Sequence, residues 1–321
     1  MGETVSLVDV EGAEEGRKLL DFVRRRAGKD VPASAVMRWI RTGQVRVDGR
    51  RAGPYDRVAG GQTVRIPPFR PGEKAGGEKD PRGGAAALPP VIFEGDGLII
   101  LAKPAGLPVH PGTGHVDSVQ TRLAAAFPDA PFVPAPVHRL DRDTSGLLVV
   151  AAAHRVAREA SEAFREGLVE KDYLAWVHGA FTLCAVGESC SLFDRLAKTG
   201  PAGREKVRPG QEAGREALSL ATPLVVTDDR SLLRLRLLTG RTHQLRVQLA
   251  SRGHAIVGDA KYGPKDTARG GQGLCLHCWR MALFNRTFEL PPPWEGETAV
   301  PDGLLSAVPS GMPPPGPPPA P

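Results

Sequence analysis

The chain is poor in cysteine, has no long apolar run and lacks a leader-like start. Four cysteines in 321 residues do not supply the disulfide framework on which small secreted domains depend. No stretch holds the roughly 20 consecutive apolar residues needed to cross a bilayer. The opening Met1-Gly-Glu-Thr-Val-Ser6 has neither the basic start nor the apolar centre of a secretory signal. Together these absences predict a cytoplasmic protein with no membrane partner. Cys275-Leu-His-Cys278 has only Cys184 and Cys190 as further thiols, at a spacing that fits no zinc-finger pattern, so no metal is expected.

An apolar content of 41% and a charged content of 24% fit a globular chain long enough for two domains. The net charge is +6, and it is unevenly spread. Between Arg17 and Arg70, 14 lysines and arginines face 4 acidic residues, whereas the remainder holds 28 basic against 32 acidic. A compact basic segment on a near-neutral body points to a polyanion-binding attachment.

Five regions follow from composition and pattern. Residues 1–16 form an N-terminal extension. Residues 17–70 read as two short helices, near 14–27 and 32–41, followed by short strands. Asp48-Gly49 between Val45-Arg-Val47 and Arg50-Arg51 is a hairpin signal. Residues 71–88, rich in Gly, Lys, Glu and Ala, read as a flexible linker. Residues 89–290 carry the main core, and the Pro-rich stretch 291–321 reads as a disordered tail. Within the core, Gly95-Asp96-Gly97 predicts a hairpin. His154 to Gly167 predicts an amphipathic helix, with Val156, Ala160, Phe164 and Leu168 on its apolar side. Arg195 to Arg215, rich in glycine and basic residues, is expected to be a mobile loop.

The densest chemistry lies in Pro136-Val-His-Arg-Leu-Asp-Arg-Asp-Thr-Ser-Gly-Leu-Leu-Val-Val-Ala151. Two carboxylates, two arginines, a histidine and two hydroxyls run straight into an apolar stretch that reads as a buried strand. Charges at the edge of a core lose solvation unless they are paired, so this loop is the first candidate for a working site.

His138-Arg-Leu-Asp-Arg-Asp-Thr-Ser-Gly-Leu147 resembles the signature of the RluA-type pseudouridine synthases. Three further segments in the same order carry the resemblance: Lys103-Pro-Ala-Gly-Leu-Pro-Val-His110, Glu170-Lys-Asp-Tyr-Leu-Ala-Trp-Val-His-Gly179, and Thr239-Gly-Arg-Thr-His-Gln-Leu-Arg-Val-Gln-Leu249 with Gly253 to Asp259. Ile40-Arg-Thr-Gly-Gln-Val-Arg-Val-Asp-Gly49 in turn resembles the S4 RNA-binding module. The combination is most similar to the RluC/RluD-like enzymes that act on large-subunit ribosomal RNA. The resemblance implies an α+β catalytic domain with a mixed, largely antiparallel sheet, preceded by a small S4-like module. It implies Asp141 as the catalytic aspartate, Tyr173 as the active-site tyrosine and Arg241 as the matching basic residue. Leu245 is then the apolar residue near the uracil, and Arg139 fills the space that a flipped base vacates. His138 and Arg38, Arg41, Arg46 and Arg50 are the further RNA-binding candidates. Phosphate contacts of this kind give affinity that falls with salt.

Pseudouridine formation breaks the N1–C1′ bond, turns the uracil and rejoins it through C5, so neither redox cofactor nor metal is needed. Ribosomal RNA is the expected partner, and the protein is expected to work as a monomer. Two other classes compete. Asp141-Arg-Asp143-Thr144 also fits the Asp-x-Asp-x-Thr of magnesium-dependent phosphatases, but that motif follows an apolar strand, and here the strand comes after. A non-catalytic RNA-binding or ribosome-assembly factor would not require the Asp, Tyr and Arg set.

Overall fold

The computed structural model describes residues 5–28, 31, 33–68, 87–111, 117–199, 206–210, 214–264, 273–309 and 311. The chain divides into two compact units, Met1–Glu78 and Lys79–Pro321.

In the first unit, β1 (Ser6–Asp9), α1 (Leu19–Ala27), α2 (Ala33–Arg41), β2 (Arg46–Val47) and β3 (Thr63–Ile66) follow in order. The strands form a sheet in the order β1-β3-β2. Leu19, Phe22 and Val23 of α1 meet Val36, Trp39 and Ile40 of α2 and Val64 of β3 in a small core. The expected boundary at residue 17 therefore moves, because Ser6–Asp9 pairs with β3 over four residues and belongs to this sheet. The turn at Asp48-Gly49 forms with both residues at positive φ. β2, however, finds its long partner in β3 and not in residues 50–51.

The second unit holds β4 (Val91–Gly95), β5 (Leu98–Lys103), α3 (Val119–Ala126), β6 (Ala135–Pro136), β7 (Ser145–Ala151), α4 (His154–Glu166), β8 (Glu170–His178) and β9 (Cys190–Thr199). There follow β10 (Lys206–Pro209), β11 (Arg215–Val226), β12 (Arg230–Leu237), α5 (Gln244–Ala250), β13 (Leu276–Leu283), β14 (Arg286–Glu289) and α6 (Leu304–Ala307). One sheet runs β10-β9-β11-β12-β8-β13-β7-β5-β4, with β14 beside β13 and β6 beside β7. Only β13 and β7 pair in parallel among the described strands; the fold is α+β with a mixed, largely antiparallel sheet.

β7 is buried along its whole length, as an apolar run of this kind requires when both faces are covered. Gly146 sits where β7 passes β13. Its φ is +118°, and a Cβ there would strike the backbone of Cys278, so only glycine permits this crossing. The β4–β5 hairpin turns at Asp96-Gly97 with both residues at positive φ, as that dipeptide favours.

Three expectations are corrected. Leu168 does not extend the apolar side of α4 but is 69% exposed. Gly167 adopts the left-handed conformation and ends the helix before it. Within 195–215, β9 and β10 pair as a hairpin, Lys206 opposite Thr199, where a loop was expected; residues 200–205 and 211–213 lie outside the described residues. The stretch after 290 is structured through residue 309. Trp294, Val300, Leu304, Leu305 and Val308 pack against the main core, and the Trp176 indole N–H donates to Thr298 O at 2.7 Å. The Pro313–Pro319 run, and nearly all of the expected linker, lie outside the described residues.

Candidate active site

The loop before β7 is fixed from several sides. His138 Nε2 accepts the backbone N–H of Val149 at 2.9 Å, and its ring stacks on Phe164 with centroids 4.5 Å apart. Burial, with Lys171 nearby, pushes the imidazole down to about 3, so the ring is held neutral while it lines the cleft beside Asp141. Leu140 is buried. Thr144 N–H closes the turn onto Asp141 O at 3.2 Å. Ser145 Oγ bonds His277 Nδ1 at 2.8 Å, and His277 Nε2 lies 2.8 Å from Leu290 O. A carbonyl only accepts, so Nε2 carries the hydrogen and Nδ1 accepts from the serine.

Lys103 is the fourth anchor. It is 1% exposed, and its ammonium donates to Pro104 O at 2.8 Å, Leu107 O at 2.8 Å and Arg142 O at 2.9 Å. Three donors meet three carbonyls, which ties the 103–107 turn to the loop that carries Asp141. Burial pulls this lysine down to about 8, against the charges of Asp143 and Asp141.

Asp141 faces a cleft of about 560 Å³ whose lining includes Arg139, Tyr173, Arg241, His243, Leu245 and Arg246. Tyr173 comes from β8 and is buried. Burial, then Cys278, then the Asp141 charge hold its hydroxyl well above the usual range, so it stays protonated. Leu245, also buried, is the second residue of α5. Arg139 stands exposed at the rim.

The guanidinium that meets Asp141 is Arg246, not Arg241. Arg246 Nη1 lies 3.4 Å from Asp141 Oδ2. Its other edge is held by Asp259, with Nε to Oδ2 and Nη2 to Oδ1 both at 2.8 Å. Burial opposes the charge on Arg246, but the hydrogen bonds and charge of Asp259, with the charge of Asp141, together outweigh it and hold its pKa above the usual value. Asp259 in turn accepts the backbone N–H groups of Lys261 and Tyr262. Arg241 instead donates from Nε to Glu216 O at 2.8 Å, which turns its head toward the β11 side of the mouth. It sits just before α5, whereas Arg246 lies inside that helix and projects toward the loop that carries Asp141.

Sequence reading missed Arg246, Asp259, His243 and Tyr262, although all but Tyr262 lie within the quoted segments. The obstacle is physical. Every residue from Gln244 to Leu249 is buried, so polar and apolar positions alternate without an exposed face to mark them. Gln244 and Gln248 are satisfied internally, by Thr239 and Leu218 for the first and by Ser219, Leu192 and Ala217 for the second.

In the first unit, Arg46 is exposed and bonds Gly49 O at 3.0 Å, and Arg50 is exposed. The side chains of Arg38 and Arg41 lie outside the described residues, although their backbone is helical. The Asp-x-Asp arrangement of a phosphatase is not met: β7 begins after Thr144, and Asp143 pairs with the adjacent Arg142 at 2.8 Å.

Residues 97–251, which include Asp141, Tyr173 and Arg246, match the family described as RNA pseudouridylate synthase. The chain is 35% identical over 300 residues to ribosomal large subunit pseudouridine synthase C of Haemophilus influenzae, covering 93% of this chain and 91% of that one. The protein of the same name from Escherichia coli K12 is 34% identical over 308 residues, covering 92% and 91%. Among solved structures, the human RNA pseudouridylate synthase domain containing 1 aligns with a TM-score of 0.51 and 25% identity, over 66% of this chain and 85% of that one.

Proposed function

The chain belongs to the RluA-type RNA pseudouridine synthases, and from that premise we propose that it converts uridine to pseudouridine in large-subunit ribosomal RNA, with Asp141 as the reacting carboxylate. The relatives named for the large ribosomal subunit align along nearly their whole length, which supports that class of target. The observation that carries the chemistry is Asp141 facing an open cleft, with Arg246 at 3.4 Å and Arg246 itself pinned by Asp259.

The roles follow from that geometry. A uridine inside a helix cannot present its sugar to Asp141, so it leaves the stack, and Arg139 at the rim takes the vacated space. Leu245 and Tyr173 supply an apolar seat with one hydroxyl, suited to a flat base. Asp141 acts on the ribose as nucleophile or base while the N1–C1′ bond breaks. The uracil turns within the cleft, C5 bonds to C1′ as Asp141 gives up its bond to, or returns its proton to, the sugar, and the C5 proton leaves with Tyr173 placed to relay it while N1 takes up a proton. The base keeps all its heavy atoms, and the proton that C5 gives up is matched by one that N1 takes up, so no co-reactant is required. The basic first unit, with Arg46 and Arg50 exposed, is an RNA-holding module on this reading, like the S4 module its sequence resembles.

The test uses the purified protein and a large-subunit ribosomal RNA transcript carrying uridine tritiated at C5. Tritium should appear in solvent with the wild-type protein and not with Asp141→Asn, while RNA binding persists. An active Asp141→Asn variant removes Asp141 from the mechanism.

A further inference from the structure

His243 lines the cleft, and the roles assigned above do not use it. It is the residue before α5 and holds φ +54°, ψ +25°, a left-handed backbone that is uncommon for any residue with a Cβ. That backbone turns its ring into the gap between Asp141 and Tyr262. Nε2 lies 3.9 Å from Asp141 Oδ2, and Nδ1 lies 2.8 Å from Tyr262 Oη.

The neighbours of Tyr262 settle which nitrogen carries the hydrogen. Its oxygen already accepts the backbone N–H of Val207, on β10, at 3.3 Å. Its own proton then goes to Nδ1 of His243. The reverse arrangement would aim the Nε2 lone pair at a carboxylate oxygen 3.9 Å away. Nε2 therefore bears the hydrogen, pointed at Asp141. The Tyr262 ring also lies under Arg246, 5.3 Å from its guanidinium carbon, so one tyrosine braces both groups that face the reacting carboxylate. The charged groups around the imidazole are Asp141 before β7, Arg246 in α5, and Asp259 and Lys261 after it. Burial, the largest influence, holds the ring below its ordinary value.

We propose that His243 is a positioning residue for the reaction: braced by Tyr262, it presents an Nε2–H to Oδ2 of Asp141, and with Arg246 it fixes that oxygen so that Oδ1 is the one aimed at the ribose. At 3.9 Å the contact is longer than a hydrogen bond, and it shortens when the substrate closes the cleft, as catalytic contacts do on forming the reactive complex. The same chain of contacts links the β9–β10 hairpin, through Val207, to the orientation of the carboxylate.

The proposal rests on the isomerase reading above, and the closing experiment separates the two. Tritium release from the ribosomal transcript is measured for wild type, His243→Asn, His243→Gln and Tyr262→Phe, with kcat, KM and melting temperature for each. Asn suits the left-handed backbone best, yet its short amide does not reach Asp141; Gln suits it less, yet its amide N–H sits near the Nε2 position. The proposal expects His243→Asn to lose about tenfold to a hundredfold in kcat with KM and melting little changed, the size of one hydrogen bond to a charged group. His243→Gln should recover much of that loss in spite of its poorer backbone fit, and Tyr262→Phe should lower kcat less than His243→Asn does. Wild-type kcat in His243→Asn, or a Gln variant no better than the Asn variant, overturns it. Should His243→Asn not fold, wild-type kcat in Tyr262→Phe overturns it instead. A wild-type protein that releases no tritium overturns the isomerase reading and this inference with it; an active wild type with unaffected variants overturns this inference alone.

Discussion

Arg246 divides one guanidinium between two carboxylates, and the division is unequal. Asp259 takes two parallel hydrogen bonds at 2.8 Å, and Asp141 takes one longer contact at 3.4 Å. A fork held in this way has a fixed direction. Because the paired bonds go to Asp259, Arg246 offers Asp141 only the single contact from Nη1. Arg246→Lys keeps the charge but not the fork. It should cut kcat by about tenfold or more while leaving KM for RNA close to wild type. Arg241→Met, which spares this pair, should act mainly on KM, because Arg241 bonds Glu216 O at the mouth of the cleft. Steady-state kinetics on both variants decides the assignment: a turnover loss in Arg241→Met with an intact Arg246→Lys would reverse it. Of the site, Asp141, Tyr173 and Leu245 were named through the resemblance of their segments to the family's, and all three line the cleft. Arg246 was not, since a sequence reading places arginine on the solvent side of a helix, and here it is buried.

At the scale of an element, β8 serves two sites at once. Tyr173 faces the cleft, and Asp172, on the opposite face by the alternation of a strand, is buried among arginines. Asp172 receives Arg234 at 2.7 Å and Arg236 at 2.7 and 2.8 Å, with Arg280 at 3.4 Å. Burial pushes its carboxyl up, but the hydrogen bonds from Arg236 and Arg234 outweigh that and hold it below the ordinary 3.8. Removing one partner of a buried ion pair strands the others, and Asp172→Asn should cost about 3–5 kcal/mol, measured by denaturant unfolding at neutral pH. A depressed carboxyl contributes its stability fully above its unfolded value and loses it as pH falls through the lower folded value. The gap between wild type and Asp172→Asn should therefore be complete at neutral pH and narrow only below about pH 3.8. A gap that is constant across that window would mean that Asn disrupts packing and not charge. Strand β7 was readable, because it is a short apolar run that begins directly after the Asp-Thr loop. The β9–β10 hairpin was not: its glycine and basic content imitates a loop, while the pairing that makes it a hairpin is between residues several positions apart.

At the scale of the whole molecule, composition misled at one end and informed at the other. Proline density after residue 290 suggested a chain with no structure, and proline indeed contributes no backbone N–H to a ladder. The segment attaches by other means: carbonyls that accept from Trp176 and Arg234, and a short apolar series that includes Leu304, Leu305 and Val308. The basic excess of residues 17–70, in contrast, maps onto a unit with its own core, separate from the core of the catalytic unit. Two separate cores allow the units to be tested apart. A chain beginning at Lys79 should keep the cleft and hence its kcat at saturating RNA. It should bind the transcript more weakly, and its affinity should depend less steeply on salt. The log–log slope should become shallower by about one for each phosphate that the first unit neutralises in the whole protein. Titration of the transcript at several salt concentrations, with and without residues 1–78, measures both. An unchanged slope would assign phosphate neutralisation to the catalytic unit, and the basic charge of the first unit would then serve something other than RNA affinity.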